Sequence, residues 1–167
     1  DWAGQVLVAC RKIDISHAVV LVETDQRLWL SRLESLLDIP EPPNEEVYCE
    51  GRVMLLQACF RHRPFSRQCN EAAERLAAVL DRCDDNLYVA AAGRLMWFWL
   101  HHADRRRVQA LFDESRARLT SPDVLEPTAL FWHQPAIQHA LAMGAFDLAA
   151  RLAEETRNLA DDSGCVP

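Results

Sequence analysis

Arg32-Leu33-Glu34-Ser35-Leu36-Leu37-Asp38 returns 43 residues later as Arg75-Leu76-Ala77-Ala78-Val79-Leu80-Asp81. A second register links Ala72, Phe112 and Leu152, and likewise Val79, Leu119 and Leu159, each set spaced by 40 residues. Inside each unit apolar residues recur three and four apart, the spacing of a one-sided helix. A helical hairpin of this size cannot bury its apolar stripe alone, so neighbours must stack to cover it. The expected fold is all-α: a right-handed superhelix of about four antiparallel helical hairpins, an α-solenoid. Such arrays make surfaces, which favours binding over catalysis.

The hairpins are predicted at about 2–37, 45–82, 86–119 and 125–160, together one helical-repeat domain. Their turns fall near Glu23, Pro64, Ala103 and Gly144, at spacings of 41, 39 and 41. Leu30, Leu33 and Leu37 form one apolar stripe, and the run Asp38-Ile-Pro-Glu-Pro-Pro-Asn44 ends that hairpin, because proline lacks the amide donor and restricts the residue before it. Ser66 is positioned as an N-cap. Pro127 suits a first helical turn, whereas Pro135 is expected to kink or delay its helix.

The 167 residues are half hydrophobic, which argues against disorder. Acidic residues outnumber basic ones 25 to 18, a net charge of −7 that opposes nucleic-acid binding, since such affinity rests on neutralising phosphates. Arg105-Arg106-Arg107 is the local exception. A solvated face balanced by Asp104, Asp113 and Glu114 accounts for it more simply than an acidic partner does. The cysteines at 10, 49, 59, 69, 83 and 165 show no C-x-x-C pair and no zinc-like spacing. They fall mostly at apolar helix positions, as reduced thiols of a cytoplasmic protein would. No apolar run approaches a membrane span, Val19–Val22 being cut short by Glu23. The chain opens in mid-pattern at Asp1, as expected of a piece of a longer protein.

The turn Gly144-Ala145-Phe146-Asp147-Leu148-Ala149 resembles the tetratricopeptide signature: a glycine for the tight turn, an aromatic, then a small residue where two helices approach. Ala103 and Val108 replace the glycine and the small residue at the preceding turn, and the period exceeds the usual 34. The Leu-Leu close of the second helices, the Asn-x-x-Val-Ala-Ala-Ala opening at Asn86–Ala92 and the Glu-Glu-x-x-x-x-Ala-x-x-Ser-Gly close at Glu154–Gly164 are similar to one bacterial group. They resemble the tetratricopeptide-like superhelical arm of STAND-type signal-transduction ATPases and their LuxR-type and maltose-activator-like transcription regulators. The resemblance implies an arm that senses an inducer or contacts a partner. This chain has no phosphate-binding loop and no evident helix-turn-helix, so ATP and DNA would belong to other parts of such a regulator.

No nucleophile elbow, metalloprotease helix or Gly-rich phosphate loop is present, and neither enzymatic activity nor a cofactor is expected. His101 and His102 point about 100° apart on a helix and cannot share an ion. His133 and His139 lack the i, i+4 spacing of a helical chelate, so no metal site is assigned. If Ala103 takes the place of the turn glycine, Trp97 and His101 line the concave face that the resemblance implies, with Trp99 packed against the partner helix. The same mapping turns Gln57 and Arg61 inward from the second hairpin, beyond the apolar Val53, and Phe131, Gln134 and Gln138 from the fourth. Aromatic walls with a few polar and cationic contacts suit a protein domain, a peptide or a small-molecule inducer. The plainer alternatives are that Trp97 and Phe98 fill the space between hairpins and that Gln57 and Arg61 belong to a solvated face. A free-standing adaptor that docks a partner peptide and a structural spacer remain rival functions. Exposed repeat ends, with Trp2, Val6 and Leu7 on one side and Leu148 and Leu152 on the other, are expected to offer surfaces for self-association.

Overall fold

The computed structural model describes residues 1–18 and 23–162, which form eight α-helices, a short 3-10 turn and, among those residues, no strand. The helices are α1 (Trp2–Ala18), α2 (Glu23–Leu37), α3 (Glu45–His62), α4 (Arg67–Ala77), α5 (Asp85–His101), α6 (Arg105–Arg118), α7 (Glu126–Ala142) and α8 (Phe146–Asp162). The 3-10 turn, Leu80–Arg82, follows α4. Local chemistry sets four of the eight starts. Asn44, Ser66, Asp84 and Asp104 each accept a hydrogen bond from the backbone N–H three residues on, satisfying a donor that the first helical turn leaves open. α7 has no such side chain of its own. Instead Asn86, in the first turn of α5, accepts the Leu125 N–H at 2.9 Å.

α5 and α7 end alike. Ala103 and Gly144 both take left-handed backbone, with φ of 56° and 72°. Asp104 N–H returns to the Trp99 carbonyl and Ala145 N–H to that of Ala140, the six-to-one bond of a Schellman cap. Ala103 therefore does occupy the structural place of the turn glycine.

Two compact units divide the chain, Asp1–Cys83 and a second that begins at Asp84. In the first, α1 packs on α2 and α3 on α4, and α3 also lies against α1 and α2. Trp2 Nε1–H donates to the Leu36 carbonyl at 2.8 Å and Arg82 reaches Glu45 at 3.7 Å, so both helix pairs run antiparallel. Leu33, Leu37 and Leu76 are fully buried with Val6, Ile13 and Leu56, each such side chain contributing roughly 1.5–3 kcal/mol. In the second unit α5 packs on α6 and α7 on α8, with α7 against both α5 and α6. Arg118 meets Asp85 at 3.3 Å, closing the open end of the α5–α6 hairpin. Tyr88, Leu95, Met96, Trp132 and Leu152 form the core here.

Three sequence expectations change. Pro135 does not delay its helix, because α7 runs from Glu126 to Ala142 and carries this buried proline within it. One missing ladder bond is outweighed where a helix packs on three neighbours. α8 runs to Asp162, beyond Leu159. Val6 and Leu152 are not open ends, for both are fully buried inside their own units, and Val6 lies where a Cβ on Gly51 would be 3.1 Å from it. Trp2 and Leu148 are half-buried, leaving Leu7 exposed at that position of α1. The turn expected near Glu23 includes residues outside those described.

Candidate functional site

The candidate side chains stand on the first helices of their hairpins. In the first unit Gln57 is half-buried and Arg61 exposed, four residues apart near the end of α3, with Val53 half-buried one turn earlier. The spacing aligns the three along one face of the helix.

In the second unit Trp97 is half-buried and His101 exposed on α5. Their rings lie 5.3 Å apart, and His101 Nδ1 is 2.8 Å from the Trp97 carbonyl, so the imidazole caps the end of its own helix. Phe131 is half-buried on α7 and lies against Gly93 of α5, where an added Cβ would come within 3.1 Å of the ring. Gln134 and Gln138 follow it, exposed and one turn apart. Because α5 and α7 run parallel, pinned at their starts by Asn86 and Leu125, the contact of Gly93 with Phe131 sets their register. Trp97 then sits one turn beyond Gly93, as Gln134 sits about one turn beyond Phe131.

Trp99 and Phe98, by contrast, are buried. Trp99 faces the partner helix as expected, with the Arg107 guanidinium 5.4 Å from its ring. Arg107 also pairs with Asp104 at 3.3 Å, so one member of the arginine run serves the α5–α6 turn itself.

Sequence reasoning passed over Arg94. Its guanidinium lies 3.3 Å from the centroid of the Phe131 ring, and because Phe131 stands on α7 and Arg94 on α5, no local pattern signals the pair. It also passed over Arg52, which is buried on α3. There Nη2 donates at 2.6 Å both to the Leu37 carbonyl, at the end of α2, and to the Tyr48 hydroxyl. A cation at a helix C-terminus answers the dipole and one of its open carbonyls.

The buried histidines belong to packing networks. His139 Nε2 lies 2.8 Å from Gln109 Oε1, while the Gln109 amide nitrogen donates to both Asp113 oxygens. That amide orientation assigns the imidazole proton to Nε2. Burial holds the His139 pKa below its ordinary value; Asp113 opposes the shift and Arg105 adds to it. His133 Nδ1 is 2.7 Å from the Ala129 carbonyl, and its Nε2 is 3.5 Å from Glu155. Trp132 stacks on Phe112, and its indole N–H donates to Ser115 Oγ at 2.8 Å. Among the described residues no three His, Cys, Asp or Glu side chains form a metal-holding group.

The described cysteines, at 10, 49, 59, 69 and 83, are all buried, and none forms a disulfide with another described residue. Burial pushes the Cys10 and Cys59 thiols up to about 12 and Cys69 to about 11, which keeps them protonated and poorly nucleophilic. Among the described residues no helix is long and apolar enough to cross a membrane. No protein-family model, curated protein or solved structure matches the chain.

Proposed function

We propose that the four hairpins continue into one right-handed, tetratricopeptide-like superhelix that serves as the binding arm of a larger bacterial signalling or transcription regulator in the cytoplasm. The arm takes a protein domain, a peptide or a small-molecule inducer at its concave face, and occupancy biases the arrangement of the attached domains. One observation carries the proposal: in each unit taken by itself, the first helix of one hairpin rests on the first helix of the next, α1 on α3 and α5 on α7. Such stacking would collect the first-helix side chains of each unit on one side, and Arg61 of α3, His101 of α5 and Gln134 and Gln138 of α7 are exposed.

Trp97→Ala and Arg61→Ala in the full-length regulator test the function. A binding arm loses its response while far-UV circular dichroism is unchanged. A spacer loses stability or nothing. Small-angle scattering tests the shape, since a closed globule of this length has a radius of gyration of about 15 Å and an open array exceeds it.

A further inference from the structure

Two imidazoles are buried on α7, and each meets a different neighbouring helix. His139 is complete as a neutral ring, since its Nε2–H has Gln109 Oε1 of α6 as acceptor, 2.8 Å away. His133 is not. Its Nδ1 lies 2.7 Å from the Ala129 carbonyl, which can only accept, so Nδ1 carries a proton. In a neutral imidazole the other nitrogen is then a bare lone pair. His133 Nε2 is buried, has no hydrogen-bond partner among the described residues and stands 3.5 Å from Oε2 of Glu155 on α8. An ionised carboxylate also only accepts, so two acceptors face each other where α7 meets α8. One added proton changes this, because it makes Nε2 a donor, satisfies the buried nitrogen and turns the facing acceptors into a charge-assisted pair. The imidazole is 4% exposed and the carboxylate 50%, so solvent reaches the pair from the Glu155 side.

The other charges around α7 are engaged elsewhere. From α5, Arg94 lies over the Phe131 ring and Asp85 pairs with Arg118. From α6, Arg116 lies over Phe112, while Arg105 and Asp113 act on His139. On α8, Glu154 pairs with Arg157, and Arg151 is exposed one turn before Glu155. On α7 itself Glu126 lies two turns before His133, and the neighbouring Trp132 ring, edge-on to the imidazole at 5.4 Å, is neutral.

We propose that His133 and Glu155 form a proton-operated latch, which holds α8 on α7 when the imidazole carries two protons and loosens when it carries one. The latch works inside the second unit and does not depend on the concave-face proposal. Burial makes His139 resist a proton, so acid acts on α7 in opposite senses: it tightens the contact with α8 and strains the one with α6.

Urea unfolding of the whole chain at about pH 8 and about pH 5.5 provides the test, in a His139→Gln background that removes the opposing contribution. Glu155→Gln is the informative variant, because its amide can donate to a bare Nε2 and so suits the neutral ring. Relative to Glu155→Gln, the chain that keeps Glu155 should gain about two- to fivefold in its folding equilibrium on going from the higher pH to the lower, a modest factor because the carboxylate is half-exposed. Adding His133→Gln should abolish that pH-dependent difference. Nitrogen NMR of the His133 ring in the unaltered chain gives a reading that needs no variant to fold: Nδ1–H with a bare Nε2 at the higher pH, and both nitrogens protonated at the lower. An equal or inverted effect of Glu155→Gln at the two pH values, a difference that persists without His133, or a ring in the same protonation state at both would each overturn the proposal.

Discussion

Ala103→Gly is expected to stabilise the protein by about 1 kcal/mol, although glycine ordinarily weakens a helical region. Ala103 sits at φ 56°, where the Cβ of an L-residue crowds the following carbonyl at a cost of about 1–2 kcal/mol. Removing that Cβ recovers the strain and gives back about 0.4–1 kcal/mol through the freer unfolded chain, leaving a net gain near 1 kcal/mol. Gly144→Ala is the mirror experiment. Gly144 has φ 72° and nothing within 4 Å of an added Cβ, so its expected loss of about 1 kcal/mol is a backbone effect without any clash. Urea titration followed by circular dichroism reads both as opposite shifts in midpoint at constant slope, and each corresponds to roughly 2–4 °C in Tm for a chain of this size. If Ala103→Gly destabilises, or Gly144→Ala is neutral, the two turns are not equivalent Schellman caps and the alignment of the α5–α6 and α7–α8 hairpins fails.

Ser115→Ala should cost about 1–3 kcal/mol, because it leaves the indole N–H of fully buried Trp132 without its acceptor; urea unfolding monitored by tryptophan fluorescence measures it, and a neutral result would show the donor satisfied elsewhere. Gly51→Ala should destabilise by about 1 kcal/mol, because the new Cβ would meet Leu37 at 2.9 Å and Val6 at 3.1 Å, both fully buried, and this overpacking exceeds the gain in helix propensity. Gly4→Ala faces only the Asp1 side chain and should be neutral or slightly stabilising, and thermal melts of the two variants compare them. His139 makes stability depend on pH with a defined sign. Its pKa is lowered in the folded state, so as pH falls through the unfolded value of 6.5 the unfolded chain takes up a proton that the native site refuses, and stability declines until the lower native value is passed. Between pH 7.5 and 5.5 the unaltered protein should lose more stability than His139→Gln does; equal losses would remove His139 as the cause.

The repeat was legible in the sequence because it rests on local geometry. Apolar residues three and four apart must share a helix face whatever packs on it. Leu33, Leu37 and Leu76 of the repeated heptads are accordingly fully buried, and the 40-spaced set Ala72, Phe112 and Leu152 is buried throughout. Asp38 of the first heptad even reaches Arg75 of the second, at 3.6 Å. Caps were legible for the same reason, since Ser66 needs only its own next three residues. Pro135 was not: whether a helix tolerates proline depends on how much its other faces bury, and that is decided by α5, α6 and α8.

The sites divide along the same line. Trp97 and His101 are four apart on one helix, so their contact follows from spacing alone, and the rings do meet. Whether that pair faces a ligand depends on what remains uncovered after packing, a property of the assembled helices that no local pattern carries. A cavity beside the end of α3 lies further from view, since Arg27 and Glu34 come from α2, Gln68 from α4 and Arg63 from the turn between α3 and α4. Nothing in residues 27–34 announces a partner 30 positions away. A basic residue near a helix end reads as a dipole-compensating solvated charge, which is what Arg61, His62 and Arg63 are when α3 is taken alone. It is the approach of α2 that turns one side of that helix end into a cavity wall, so the shape of this surface is set by tertiary packing and not by the local pattern of α3.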